Sequence, residues 1–229
     1  MRYPALYLAC LCIAWFAPAP LPAQSTPALS AAATNAAPFE KEILAFEAAD
    51  KTNPPPTGAT LFIGSSSIRL WTTLAEDFQQ HRVINRGFGG SKIIDSVRCA
   101  KRIVLPYKPQ LVVLYAGGND LNGGTTPEQV AADYRAFVKT VHDALPATRI
   151  AYISIAPNPA RWAQVDRVRA ANSQIEAHTR TDERLAFIDV FPKMLGEDGQ
   201  PRPEIFSADR LHMNERGYEL WTRLVKRHL

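Results

Sequence analysis

The chain has 229 residues, 46% of them hydrophobic and 21% charged, which excludes a disordered, collagen-like or disulfide-scaffold protein. Its formal charge of +4 comes from 26 cationic and 22 acidic side chains with no cluster of Lys and Arg on one helix face. No nucleic-acid partner is expected, and the charge reads as a solvated surface. The three cysteines, Cys10, Cys12 and Cys99, cannot build a disulfide framework.

In chain order, the first segment reads as an address. Arg2 is the only charged residue before Glu40, and an apolar run from Ala5 to Ala17 is followed by prolines and small residues up to Ala23. A cationic start, a short apolar stretch and a small-residue exit make residues 1–23 a signal peptide, cleaved after Ala23 or, by the same rule, after Ala19. The run is shorter than the ~20 residues of a bilayer span, so no permanent membrane anchor is expected. Cys10 and Cys12 lie inside the apolar run rather than at the cleavage point, which argues against a lipid anchor. The protein is thus expected to be exported, periplasmic or extracellular, with Cys99 a lone thiol in the core. Residues 24–38 are Ala, Ser, Thr and Pro without periodicity, a disordered linker. Residues 39–229 read as a single domain.

Phe39, Ile43 and Phe46 predict a helix that Asn53-Pro54-Pro55-Pro56 stops. Five short apolar runs then predict strands: Thr60 to Ile63, Arg82 to Asn85, Leu111 to Tyr115, Arg149 to Ile155 and Leu185 to Ile188. Between and after them, amphipathic segments predict helices. One runs from Pro127 through Val130, Tyr134, Phe137 and Val141 to Leu145; another carries Val165, Val168, Ala171, Asn172 and Ile175; the last carries Tyr218, Trp221, Leu224 and Val225. Near-continuous apolar strands alternating with amphipathic helices define an α/β protein whose parallel sheet is covered on both faces.

In such a sheet, ligands bind at the carboxyl ends of the strands. After the first strand stands Gly64-Ser65-Ser66-Ser67; after the second, Gly87-Phe88-Gly89-Gly90; after the third, Gly117-Gly118-Asn119-Asp120; and before the final helix, Asp209-Arg210-Leu211-His212. A serine at a strand-to-helix turn is either a plain N-cap or an exposed nucleophile in the positive field of a helix start. The second segment is no dinucleotide loop, because the third glycine of that fingerprint falls on Lys92. A glycine N–H there suits an oxyanion, and Asn119 either caps its loop or donates its amide to the same oxygen. Asp209 and His212 are either a capping acid and a surface imidazole, or a carboxylate that orients a general base. His81, His142, His178 and His228 have no polar constellation beside them. No metal is expected, since no His-x-His, His-Glu-x-x-His or Cys/His spacing occurs. Arg161 and Trp162, beyond the fourth strand, offer a guanidinium and an aromatic platform for a sugar, or else anchor a loop.

Four such segments in this order resemble the SGNH hydrolases, the GDSL esterase/lipase family, over residues 59 to 229. The matching blocks are Phe62-Ile63-Gly64-Ser65-Ser66-Ser67, Gly87-Phe88-Gly89-Gly90, Gly117-Gly118-Asn119-Asp120 and Asp209-Arg210-Leu211-His212. The resemblance implies a three-layer α/β/α sandwich, flavodoxin-like, with a five-stranded parallel sheet. It also implies a catalytic triad of Ser66, Asp209 and His212, an oxyanion hole of the Ser66 and Gly90 N–H groups and the Asn119 amide, and no cofactor. The family's Gly-Asp-Ser is here Gly-Ser-Ser, with Ser65 in the aspartate position. The expected activity is hydrolysis of small-molecule or polysaccharide carboxylic esters. The alternatives are a carbohydrate O-acetyl esterase or acyltransferase on the same fold, or a non-catalytic carbohydrate-binding relative.

Overall fold

The computed structural model describes Met1 and residues 39–229. The expected signal peptide and linker, Met1 apart, lie outside the described residues. Strands β1 (Thr60–Gly64), β2 (Val83–Gly87), β3 (Leu111–Tyr115), β4 (Arg149–Ile153) and β5 (Leu185–Ile188) form one sheet in the order β2-β1-β3-β4-β5. Every pairing is parallel. All five expected strands are present, with shifts of one or two residues at the ends of β1, β2 and β4. β2 runs on to Gly87 because its residues pair one for one with β1. β4 stops at Ile153 because the Ile155 N–H and C=O both turn to the Asn172 side-chain amide, at 2.8 and 3.0 Å, and leave the ladder.

The α-helices among the described residues are α1 (Glu40–Thr52), α2 (Ser66–Arg69), α3 (Leu74–Asp77), α4 (Ile93–Ile103), α5 (Gly118–Asn122), α6 (Pro127–Ala144), α7 (Val165–Thr179) and α8 (Glu215–Val225). α4 is absent from the sequence expectations. Its buried stripe is Ile93, Ser96, Cys99, Ala100 and Ile103, beside the exposed Arg98 and Lys101, an amphipathic pattern that the sequence carries and that the reading from apolar runs missed. Cys99 lies buried in that stripe, and desolvation raises its thiol pKa.

Successive strand residues point to opposite faces, and the core divides accordingly. Leu61, Ile63, Val112, Leu114, Ile150 and Tyr152 pack with residues of α1, α4, α6 and α7. Phe62, Leu111, Val113, Tyr115, Ala151 and Ile153 pack on the other face with residues of α2, α3 and α8. Strands buried on both sides therefore carry no polar alternation, which is why they read as continuous apolar runs. At the carboxyl end of β1, a Cβ on Gly64 would stand 1.8 Å from the Tyr115 carbonyl oxygen, and its φ is +140°. Only glycine lets β1 and β3 close there, and the Ser65 N–H donates to that same oxygen at 2.9 Å. No helix among the described residues is long and apolar enough to cross a membrane.

Candidate active site

The chain leaves β1 through Gly64 and turns at once into α2, which begins at Ser66. The turn is held by main-chain atoms: the Ser65 carbonyl accepts from the N–H groups of Ile68 and Arg69 at 3.0 and 3.1 Å. Ser65 contributes no side-chain cap, so serine in the family's aspartate position leaves these bonds intact. Two outside groups fix α2. Asn85 donates from Nδ2 to the Ile68 carbonyl and accepts the Gly87 N–H at Oδ1, both at 2.8 Å. Tyr218 on α8 donates its hydroxyl to the Ser67 carbonyl at 2.9 Å. Beneath lies an aromatic cluster in which Trp221 meets Tyr115 edge-on at 4.7 Å and Trp71 lies 5.3 Å from Tyr218. Ser66 thus stands on a short helix tied to β2 and α8 as well as to its own strand.

Across from it, Asp209 and His212 share one turn. Asp209 Oδ1 accepts the N–H groups of Leu211 and His212, each at 3.0 Å, while Oδ2 lies 2.6 Å from His212 Nδ1. Arg210, between them, has φ +58°, a left-handed conformation uncommon outside glycine and asparagine. The Arg210 N–H donates to the Ser207 carbonyl at 2.9 Å, and its own carbonyl accepts the Ala160 N–H at 3.1 Å. His212 Nε2 is 2.9 Å from Ser66 Oγ. An ionised carboxylate only accepts, so the imidazole proton sits on Nδ1 and a lone pair at Nε2 faces the hydroxyl. The two backbone N–H groups, and then the imidazole, hold the Asp209 carboxyl down at about 2. Its depressed pKa keeps it a carboxylate at neutral and mildly acidic pH, and its contribution is lost only as pH falls toward that value.

Asn119 lies on α5, and both ends of its amide are engaged. Nδ2 donates to the Ser91 carbonyl at 3.1 Å, and Oδ1 accepts from Arg161 Nη1 at 3.0 Å. Ser66, Asn119, Arg161 and His212 line a common pocket, together with Tyr115 and Trp221. Gly90 is exposed, with φ +83° and no atom within 4 Å of where a Cβ would stand, but it is not among the residues lining that pocket. The N–H groups of Ser66 and Gly90 donate to no backbone carbonyl among the described residues. Trp162 packs against the core and lines a neighbouring apolar pocket with Ile155, Val168 and Phe191, while Arg169 lies 6.0 Å over its ring.

Beside Asn119, the fully buried Asp120 accepts the first N–H of α4, from Ile93, at 3.1 Å, while its Oδ2 has no partner. Burial pushes its carboxyl up to about 6. Here the folded-state pKa lies above the unfolded one, so the folded chain holds the extra proton between roughly pH 4 and 6 and loses stability as pH rises through that window. Asp120→Asn is expected to flatten this dependence: thermal unfolding at pH 5 and 7.5 should show a smaller difference in the variant than in the wild type. An equal difference in both proteins would show that Asp120 does not titrate in this window.

Asn85, Asn172 and Asp120 escape sequence reasoning as site supports. Asn172 sits in an apolar helical pattern, and a polar residue at such a position was the available signal.

Five parallel strands in this order, with helices on both faces, define a three-layer α/β/α sandwich. The family model for GDSL-like lipases and acylhydrolases matches residues 58–220, and the chain belongs to that family; hydrolysis of acyl esters is the general chemistry this membership supports. Similar solved structures include a Streptococcus pneumoniae protein designated a platelet activating factor, 20% identical, with a TM-score of 0.73 over 82% of this chain and 91% of that one. A GDSL-like lipase from Bacteroides thetaiotaomicron is 20% identical, with a TM-score of 0.67 over 85% and 96%. An acetyl xylan esterase is 20% identical, with a TM-score of 0.61 over 74% and 98%. At these identities the likeness is one of fold. No curated protein matches the chain.

Proposed function

We propose that this chain is an exported serine esterase that hydrolyses carboxylic esters without metal or organic cofactor. Ser66 Oγ attacks the ester carbonyl carbon while His212 Nε2 takes its proton, and the carbonyl π electrons move onto oxygen. The Ser66 N–H and the Asn119 amide, both of residues lining the pocket, hold that oxyanion, and the family resemblance adds the Gly90 N–H, although Gly90 does not line the pocket. Its collapse breaks the bond to the alcohol, which leaves with the proton from His212, and an acyl group remains on Ser66. Water then attacks the acyl-serine, His212 takes its proton and returns it to Ser66 Oγ, and the carboxylic acid departs. Asp209 keeps the imidazole in the tautomer that this requires and balances its charge when protonated. The contact of 2.9 Å between Ser66 and His212, continued at 2.6 Å to Asp209, carries the reading. Export rests on Arg2 and the apolar run that follows it.

The lining of the pocket favours short acyl groups, and with them the reading as an O-acetyl esterase. Buried Tyr115, Met194 and Trp221 line it together with the part-exposed polar residues Ser67, Asn158 and Arg161. A long alkyl chain would have to displace the first set or lie against the second. The test is a series of nitrophenyl esters of increasing chain length, beside acetylated xylan, run with wild type and Asn119→Ala. Acetyl esters should turn over fastest. The variant should lose about 10²–10³ in kcat, the usual effect of removing one oxyanion donor. Wild-type turnover by the variant would take Asn119 out of the oxyanion hole, and faster cleavage of long chains would refute the short-acyl reading.

A further inference from the structure

We propose that Arg161 is a positioning residue for the reaction, fixing the Asn119 amide with its N–H groups, rather than its oxygen, available to the oxyanion. This rests on the oxyanion reading of Asn119 given above. The two ends of an asparagine amide are nearly identical in shape, so packing alone does not choose between them. Hydrogen-bond polarity does. A guanidinium can only donate and a backbone carbonyl can only accept. Arg161 Nη1 donates to Asn119 Oδ1 at 3.0 Å, and Asn119 Nδ2 donates to the Ser91 carbonyl at 3.1 Å. A flipped amide would set N–H against guanidinium and oxygen against oxygen, so both contacts reject it. With one Nδ2 proton on Ser91, the second remains for a ligand. The cation on Oδ1 also draws charge through the amide and strengthens that second donor.

Arg161 is itself held in place. Asn158 Oδ1 accepts the Arg161 N–H at 2.9 Å, and Arg161 Nη1 also donates to the Gly118 carbonyl at 3.2 Å. The loop that carries both begins where Asn172 on α7 grips Ile155 through its N–H and its C=O. A relay of polar contacts therefore runs from α7, through the loop after β4, to the amide beside Ser66. A guanidinium committed to Gly118 and Asn119 differs from one kept free for a substrate's sugar or carboxylate, and kinetics separate the two roles.

The experiment is a double-mutant cycle on Asn119→Ala and Arg161→Met, with Arg161→Lys as the conservative variant, assayed on nitrophenyl acetate and acetylated xylan after a check of thermal unfolding. Arg161→Met is expected to lower kcat about 10- to 100-fold, the scale on which a misplaced group acts. KM should stay within about twofold on both substrates, since neither loses a contact. Lysine, which restores one charged donor, should recover part of the loss. In the Asn119→Ala background, Arg161→Met should add little, because the amide it positions is gone. A full further loss in that background would overturn the proposal, as would a raised KM with kcat intact. If Asn119→Ala alone costs nothing, the oxyanion reading itself has failed, and that outcome is distinct from additive losses.

Discussion

Ser66→Ala should abolish all but a trace of ester hydrolysis, with kcat falling by about 10⁶, the scale on which removal of a triad serine acts. The reason is local. Ser66 Oγ is the group facing His212 Nε2 at 2.9 Å, and no other hydroxyl among the described residues is so placed. Ser65 precedes the helix at its N-cap, and Ser67 is one residue further along α2, so its side chain leaves the axis about 100° away from that of Ser66. The expected pattern across three adjacent serines is therefore steep: near-total loss at Ser66 and retained turnover in Ser65→Ala and Ser67→Ala. The hydroxyl of Ser66 has its described contact with His212 rather than with the fold, so unfolding stability should change by no more than about 0.5 kcal/mol. Nitrophenyl acetate turnover measures the loss, and a fluorophosphonate probe should label the wild type and not the variant. Undiminished labelling and turnover in Ser66→Ala would refute the assignment.

Asp209→Asn should be the second largest effect, about 10⁴ in kcat with the fold retained. Asparagine keeps an oxygen able to accept the N–H groups of Leu211 and His212, so the turn through Arg210 persists. The changed end is the one that faces Nδ1. An amide N–H there demands an acceptor, so the imidazole moves its proton to Nε2 and presents a donor to Ser66 where a base is needed. The variant also lacks the anion that balances the imidazolium. Asp209→Ala removes both functions at once and should unsettle the turn as well, so the asparagine variant isolates the tautomer. The check is kcat and KM on nitrophenyl acetate, with circular dichroism to show that the fold is kept. A loss below tenfold would mean that Asp209 caps its turn and does little for the imidazole.

Much of this layout is legible from the chain because it is encoded over few residues. Leu111 to Tyr115 is apolar at every position, since both of its faces are covered. Asp209 and His212 meet across three residues, a separation that a single turn closes. Pro127 at the start of α6 and the Asn53-Pro54 stop after α1 are likewise local signals. The amphipathic pattern of α4, with Ile93, Cys99, Ala100 and Ile103 at helical spacing beside Arg98 and Lys101, was equally local and is missing from the expectations.

The chain alone determined where strands end and which side chains stand at those ends: a serine after β1, a glycine turn after β2, an asparagine after β3, an acid and an imidazole before α8. Periodicity and turn chemistry act over a few residues, so they survive in one dimension. The tertiary structure alone decided the direction of the Asn119 amide, the grip of Asn85 on α2 and that of Asn172 on the loop after β4. Arg161 is 42 positions from Asn119, and whether a guanidinium or a carbonyl faces an amide follows from how helices and loops pack on the sheet. Such polar pairings depend on three-dimensional proximity, which no run of residues spells out.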